Sequence, residues 1–162
     1  MKVIAFVGLG AMGGPMARSL INAGYAVQGY DVNPAGLEDL KAAGGVPTGS
    51  AKEAFAGAGA IVLMVVNAAQ AEAVLFSNGA LEAAPAEAIV CLMATCRPKQ
   101  VQAIAERVAM TGRRFVDSPV SGGVVGATAG SLTHHGRSAQ GLVRVGTSHA
   151  RGDGQPHSLR RG

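Results

Sequence analysis

Cysteine is scarce in this chain, with only Cys91 and Cys96 among 162 residues, and tryptophan is absent. Two cysteines cannot build a disulfide framework, and their C-x-x-x-x-C spacing matches no common zinc site. Cys91 lies inside an apolar run, where a cysteine behaves as a small hydrophobe. Long apolar stretches are missing too, since none approaches the roughly 18 residues of a membrane helix. Lys2 followed by an apolar run imitates a signal peptide. That run is five residues long, however, and breaks into glycines that serve another purpose. A disulfide-stapled secreted scaffold, a zinc module and a membrane span are all excluded, and a soluble, cytoplasmic protein is expected.

Net charge is the next thing the body of the chain does not have. Residues 1–133 carry nine basic and nine acidic side chains, so the overall +4 comes from residues 134–162. There Arg137, Arg144, Arg151, Arg160 and Arg161 face Asp153 alone, and all four histidines of the chain accompany them. A basic pI confined to one segment says nothing about the partners of the rest.

Within residues 1–133, apolar runs alternate with helical patterns. Strands are predicted at 3–7, 26–30, 60–66, 88–93 and 115–120. Several are apolar at every position, as expected when helices cover both faces of a parallel sheet. Helices rich in Ala, Leu, Glu and Lys are predicted at 12–23, 35–43, 51–56, 68–76 and 98–110. Ser50-Ala51-Lys52-Glu53 reads as a capping box. Gly24, Gly44 and Gly112 stand where left-handed C-caps are wanted, and Pro34 and Pro98 open helices. The alternation implies an α/β fold, a doubly wound parallel sheet in a single domain.

The first strand runs into Gly8-Leu9-Gly10-Ala11-Met12-Gly13, a G-x-G-x-x-G turn opening a helix. In a Rossmann-type unit Gly8 permits the tight turn, Gly10 lets the backbone approach a pyrophosphate, and Gly13 brings helix and strand together. The helix start offers free N–H groups and a positive dipole end. Asp31 ends the second strand, 18 residues after Gly13. A carboxylate there accepts bonds from both adenosine ribose hydroxyls and repels a 2′-phosphate. No Arg or Lys adjoins it in the chain, so NAD is expected in preference to NADP. The alternative is an Asp that merely caps the turn before Pro34.

These residues resemble the β-hydroxyacid dehydrogenase family, also called 3-hydroxyisobutyrate dehydrogenase-like. The resemblance rests on Gly8-Leu9-Gly10-Ala11-Met12-Gly13-Gly14-Pro15-Met16-Ala17 and on Asp117-Ser118-Pro119-Val120-Ser121-Gly122-Gly123. Gly126-Ala127 and Gly130-Ser131-Leu132-Thr133 continue the second motif, and the match covers residues 1–133. Val65-Val66-Asn67-Ala68-Ala69-Gln70 and Ala94-Thr95-Cys96-Arg97-Pro98 look most like the L-threonate dehydrogenase branch, with Arg97 where that branch usually has Pro. The resemblance implies hydride transfer from a small hydroxy acid to the nicotinamide. By position, Val66 and Asn67 would line the cofactor pocket, and Thr95 would approach the nicotinamide ribose. Ser121, Gly122 and Gly123 would bind the substrate's carboxylate and hydroxyl. Exposed glycine N–H groups beside a hydroxyl make a fair anion nest, although a plain glycine turn would read the same way.

The family's catalytic lysine lies beyond the substrate loop, in a G-x-x-x-K-x-x-N pattern, and helps to remove the hydroxyl proton. Such acid–base help is typically worth about 10²–10⁴-fold. The last lysine here is Lys99, so no residue of this chain takes the catalytic role. The family's all-helical second domain, which makes its dimer, has no counterpart either. A truncated form, inactive by itself, is expected, with a non-catalytic NAD-binding module as the alternative. Residues 134–162 read as a disordered Arg/His/Gly-rich tail, of the kind that a reading-frame change in GC-rich DNA would produce. His134, His135, His149 and His157 have no standard ligand spacing, and no metal site is expected. Five arginines without interleaved aromatics do not make a nucleic-acid surface, and no membrane partner is expected.

Overall fold

Strands that are apolar on every residue must be covered on both faces, and the chain achieves this by placing its first two helices and its last on one face and the three between them on the other. The computed structural model describes residues 2–135 and 137–138. In chain order it contains β1 (Val3–Val7), α1 (Gly13–Asn22), β2 (Ala26–Tyr30), α2 (Pro34–Ala42), β3 (Val46–Pro47) and α3 (Ala51–Phe55). There follow β4 (Ala60–Leu63), α4 (Ala68–Phe76), two short 3-10 turns, β5 (Ile89–Leu92), α5 (Pro98–Met110) and β6 (Arg114–Asp117). The described chain closes with β7 (Val120–Ser121), α6 (Gly123–Ala129), β8 (Thr133–His134) and β9 (Arg137–Ser138).

The main sheet has the order β3-β2-β1-β4-β5-β6-β9. Its first six strands are parallel, and β9 joins antiparallel to β6. This is the doubly wound, Rossmann-type architecture the alternation implied, with β1 and β4 adjacent at the point where the strand order reverses. Period-two alternation sorts the core. Ala5, Val7, Ile61 and Leu63 face one side and pack with α3, α4 and α5 through Phe55, Leu75 and Ile104. Ile4, Phe6 and Val62 face the other, against Met16 and Ala17 of α1, Leu40 of α2 and Ala127 of α6.

Local chemistry sets the ends of these elements. Ser50 Oγ accepts the Glu53 N–H at 3.2 Å, and the Glu53 carboxylate accepts from the Gly49 N–H at 2.9 Å. The reciprocal bond of the capping box therefore lands one residue earlier than a standard box would place it. Gly24, Gly44 and Gly112 all have positive φ, as their C-cap positions required. β4 and β6 stop three residues short of their predicted ends. Met64 N–H still donates to Val7 O at 2.8 Å, but the last ladder pairs of β4 are at Leu63, and the Val66 N–H goes instead to Gln70 Oε1. Pro119, without an N–H, ends the run after β6.

Backbone pairing does not stop at Thr133, where the composition changes. β8 pairs with β7, and Arg137 and Ser138 pair with Asp117 and Val116. The expectation of a disordered tail falls, beyond Ser138, outside the described residues. Among the described residues no helix is long and apolar enough to cross a membrane.

Candidate dinucleotide site

The site grows from the turn after β1. Gly8 has φ +92°, and a Cβ there would fall 2.1 Å from the Met64 carbonyl oxygen. A Cβ on Gly13 would fall 1.7 Å from the Gly8 carbonyl oxygen. Neither position has room for a side chain. Gly10, between them, is different, because a Cβ there would meet nothing within 4 Å. The turn is packed shut at both ends and open in the middle. Met12 caps α1 with no side-chain hydrogen bond. The Gly14 N–H already donates to Gly10 O at 2.9 Å and the Met16 N–H to Met12 O at 3.3 Å, and Pro15 has no N–H. The donors left to a ligand are therefore those of the turn that enters the helix. Open space in front of such donors fits a phosphate.

Asp31 ties this turn to the end of β2. Its Oδ2 accepts the Leu9 N–H at 2.6 Å and its Oδ1 accepts the Asn33 N–H at 2.7 Å. Each carboxylate oxygen retains acceptor capacity after those bonds, so the group can hold the turn and still receive ribose hydroxyls. Asn33 in turn caps α2, accepting the Ala35 N–H at 3.1 Å.

A cleft of about 570 Å³ opens at the C-terminal ends of β1, β2 and β4, the usual ligand position in open α/β sheets. It is bounded by Gly8 and Gly10, by residues 30–32, by residues 50–52 at the start of α3, by residues 64–66, and by Gln70 on α4. Residues 64–66 explain the long apolar run of the fourth strand. Its last three residues leave the ladder to make an apolar cleft wall, and Val66 is 79% exposed there.

The predicted site residues are distributed unevenly. Gly8, Gly10, Asp31 and Val66 line this one cleft. Leu9 and Met12 turn their side chains into the core beside α1, so only their backbone is available to a ligand. Leu9, Gly10 and Ala11 also border a second, smaller groove of about 310 Å³ between α1 and α2. Asn67 Oδ1 accepts the Gln70 N–H at 2.9 Å, while Gln70 Oε1 accepts the Val66 N–H at 3.0 Å. Asn67 thus serves as the N-cap of α4 and is not among the residues lining the cleft, whereas Gln70 is. Thr95 is exposed beyond the end of β5.

Ser121, Gly122 and Gly123 follow β6, which stands three places from β1 in the sheet. Gly122 (φ +130°) and Gly123 (φ +59°) bend the chain into α6, which buries Ala127 in the core cluster shared with α1. The Ser121 hydroxyl lies 3.2 Å from His135 Nε2. The sequence reading did not include Ser50, Lys52 or Gln70 in the site. The capping patterns Ser50-x-x-Glu53 and Asn67-x-x-Gln70 place the starts of α3 and α4, but they do not reveal that both helices open onto the same cleft.

Burial pushes the Cys91 thiol up to about 11. Burial, and then the charge of Asp117, raise Cys96 as well. Neither is poised as a thiolate at neutral pH. Among the described residues no three His, Cys, Asp or Glu side chains converge as metal ligands, and His149 and His157 lie outside those residues.

Residues 3–139 match the family described as the NAD binding domain of 6-phosphogluconate dehydrogenase. The chain is 41% identical over 131 residues to L-threonate dehydrogenase of Cupriavidus necator, covering 80% of this chain and 44% of that protein. It is 42% identical over 132 residues to L-threonate dehydrogenase of Haemophilus influenzae, with the same two shares. Mycobacterium tuberculosis 3-hydroxyisobutyrate dehydrogenase, solved with L-serine, superposes with a TM-score of 0.80 at 32% identity, covering 84% of this chain and 46% of that one. The chain therefore spans less than half the length of the relatives it matches.

Proposed function

Because the chain belongs to the NAD-binding-domain family of 6-phosphogluconate dehydrogenase, in its 3-hydroxyisobutyrate dehydrogenase-like group, we propose that it supplies the dinucleotide-holding half of an NAD-dependent hydroxy-acid dehydrogenase. The substrate is a short carboxylate bearing a hydroxyl, threonate-like or 3-hydroxyisobutyrate-like. The observation that carries this reading is the Asp31 carboxylate bonded to the Leu9 N–H beside an unobstructed Gly10.

When bound, the dinucleotide supplies a nicotinamide ring able to accept hydride. The backbone N–H groups of the turn from Gly10 to Gly13 hold the pyrophosphate, and Asp31 receives the ribose hydroxyls. Residues 64–66 give the dinucleotide an apolar wall to lie against. Thr95 lies toward the nicotinamide end, and Ser121, Gly122 and Gly123 offer a hydroxyl and N–H groups to the substrate carboxylate. NAD is preferred to NADP, since a 2′-phosphate would approach the Asp31 charge. An intracellular, cytoplasmic setting belongs to the same reading. No lysine follows Lys99, and none is placed to take the hydroxyl proton, so residues 1–162 bind the dinucleotide and turn over little.

The absence of tryptophan leaves NADH emission undisturbed by the protein's own fluorescence. Titration is expected to give saturable enhancement with NADH and a weaker response with NADPH. Asp31→Asn is expected to lower NADH affinity about tenfold, the scale of one charge-assisted hydrogen bond. Unchanged affinity in that variant would remove Asp31 from the site. Assay with NAD and a panel of L-threonate, L-serine and 3-hydroxyisobutyrate is expected to show little oxidation. Robust turnover would mean that these residues carry a proton acceptor of their own.

A further inference from the structure

Among the described residues, the only formally charged side chains lining the large cleft are Asp31 and Lys52. They are far apart in the chain and are brought together by the edge of the sheet. β3 pairs with β2 through Gln28 and Gly29. Thr48 then fastens the following turn, its N–H and its hydroxyl both donating to the Gly29 carbonyl at 2.9 and 3.0 Å. Two residues further on, Ser50 caps α3, so Lys52 starts from a backbone anchored next to the strand that ends in Asp31.

Among the described residues no hydrogen bond or ion pair holds the Lys52 ammonium. The acid adjoining it, Glu53, is engaged with the Gly49 N–H, and the one ion pair among the described residues joins Arg107 to Glu72. Asp31, by contrast, already accepts two backbone N–H groups. A ligand lying across the ends of β1 and β2 therefore meets a carboxylate committed to the glycine turn and a lysine with no partner.

We infer that Lys52 is the residue that governs how this cleft receives a phosphate on the adenosine 2′ oxygen, giving the domain a measurable affinity for 2′-phosphorylated adenosine in spite of Asp31. This rests on the dinucleotide reading above and adds a specificity determinant to it. The ammonium offers three donors to phosphate oxygens and a charge opposite to theirs. An unphosphorylated ribose gives it little to bind. Lys52 therefore acts on one class of ligand and spares the other.

Adenosine-half probes test this without involving the nicotinamide or the hydroxy acid. Calorimetric titration of the full chain with 5′-AMP and with 2′,5′-ADP is expected to show both binding. Lys52→Met keeps the length and helix propensity of an exposed side chain, so the fold is retained. It is expected to weaken 2′,5′-ADP about tenfold and to leave 5′-AMP within about twofold. Lys52→Glu should widen that gap. An equal loss for both probes, or no loss for either, overturns the inference while leaving the cofactor site standing. Failure of both probes to bind the unaltered chain overturns the cofactor reading and this inference with it.

Discussion

Three glycines at the first turn show how one residue type does two kinds of work. At Gly8 and Gly13 a methyl group would enter backbone atoms, which cannot move aside. At Gly10 it would enter empty space, and that space matters only when a ligand fills it. The expected consequences diverge. Gly13→Ala should cost about 3 kcal/mol or more in urea unfolding, since overpacking against backbone cannot relax. Gly10→Ala should leave stability unchanged or raise it by about 0.5 kcal/mol through the unfolded state, and should weaken NADH at least about tenfold. Equal stability losses in the two variants would contradict the division of roles.

Elements are joined by a few side chains that burial alone would not single out. Arg107 of α5 donates to Glu72 of α4 at 3.0 Å, and its guanidinium lies 3.7 Å from the centre of the Phe76 ring. Both charged groups are substantially exposed, so water screens the pair and its contribution is small. Arg107→Ala is expected to lower stability by about 1 kcal/mol, chiefly through the lost stacking, with Glu72→Ala costing less. A double-mutant cycle on the pair measures the split. Arg113 works differently, as a buried cation held by backbone carbonyls of Pro85 at 3.2 Å and Ala84 at 2.5 Å. It ties the start of β6 to the segment that leads into β5. Helix α6 is the element no propensity argument would choose, being Gly123-Val124-Val125-Gly126-Ala127-Thr128-Ala129. Its left-handed entry at Gly123 and exit at Gly130, together with Ala127 packed into the α1-side core, make it helical.

For the whole molecule, the central strands carry a pH limit. Cys91 sits on β5 between β4 and β6, and burial raises its thiol from an ordinary 9.0 to about 11. A raised value in the folded state means the native protein holds that proton more tightly than the unfolded chain does. The associated stability is complete below pH 9 and is lost as pH climbs toward 11. Unfolding free energy should fall across that interval by up to about 3 kcal/mol on account of Cys91. Cys91→Ala should remove that part of the slope, which urea melts at successive pH values would show. An identical slope in the variant would place the loss elsewhere.

The amino-acid sequence by itself determined the frame of this protein. Strand and helix periodicity, caps and glycine turns are local properties, so β1, β2, α4 and α5 fall where the pattern puts them, and so do Gly8, Gly10, Gly13 and Asp31. The sequence could not reveal β3, β7, β8 and β9, two-residue strands that exist only because a neighbour pairs with them. It also left open where the apolar run of the fourth strand stops being core and becomes cleft wall. Only the tertiary structure decided which charges share a cavity. Asp31 and Lys52 lie on different strand–helix units, and their proximity follows from the pairing of β2 with β3. The inferred part of Lys52 in receiving a 2′-phosphate would therefore be a property of the sheet edge, because an electrostatic field depends on distance in space and not on distance along the chain.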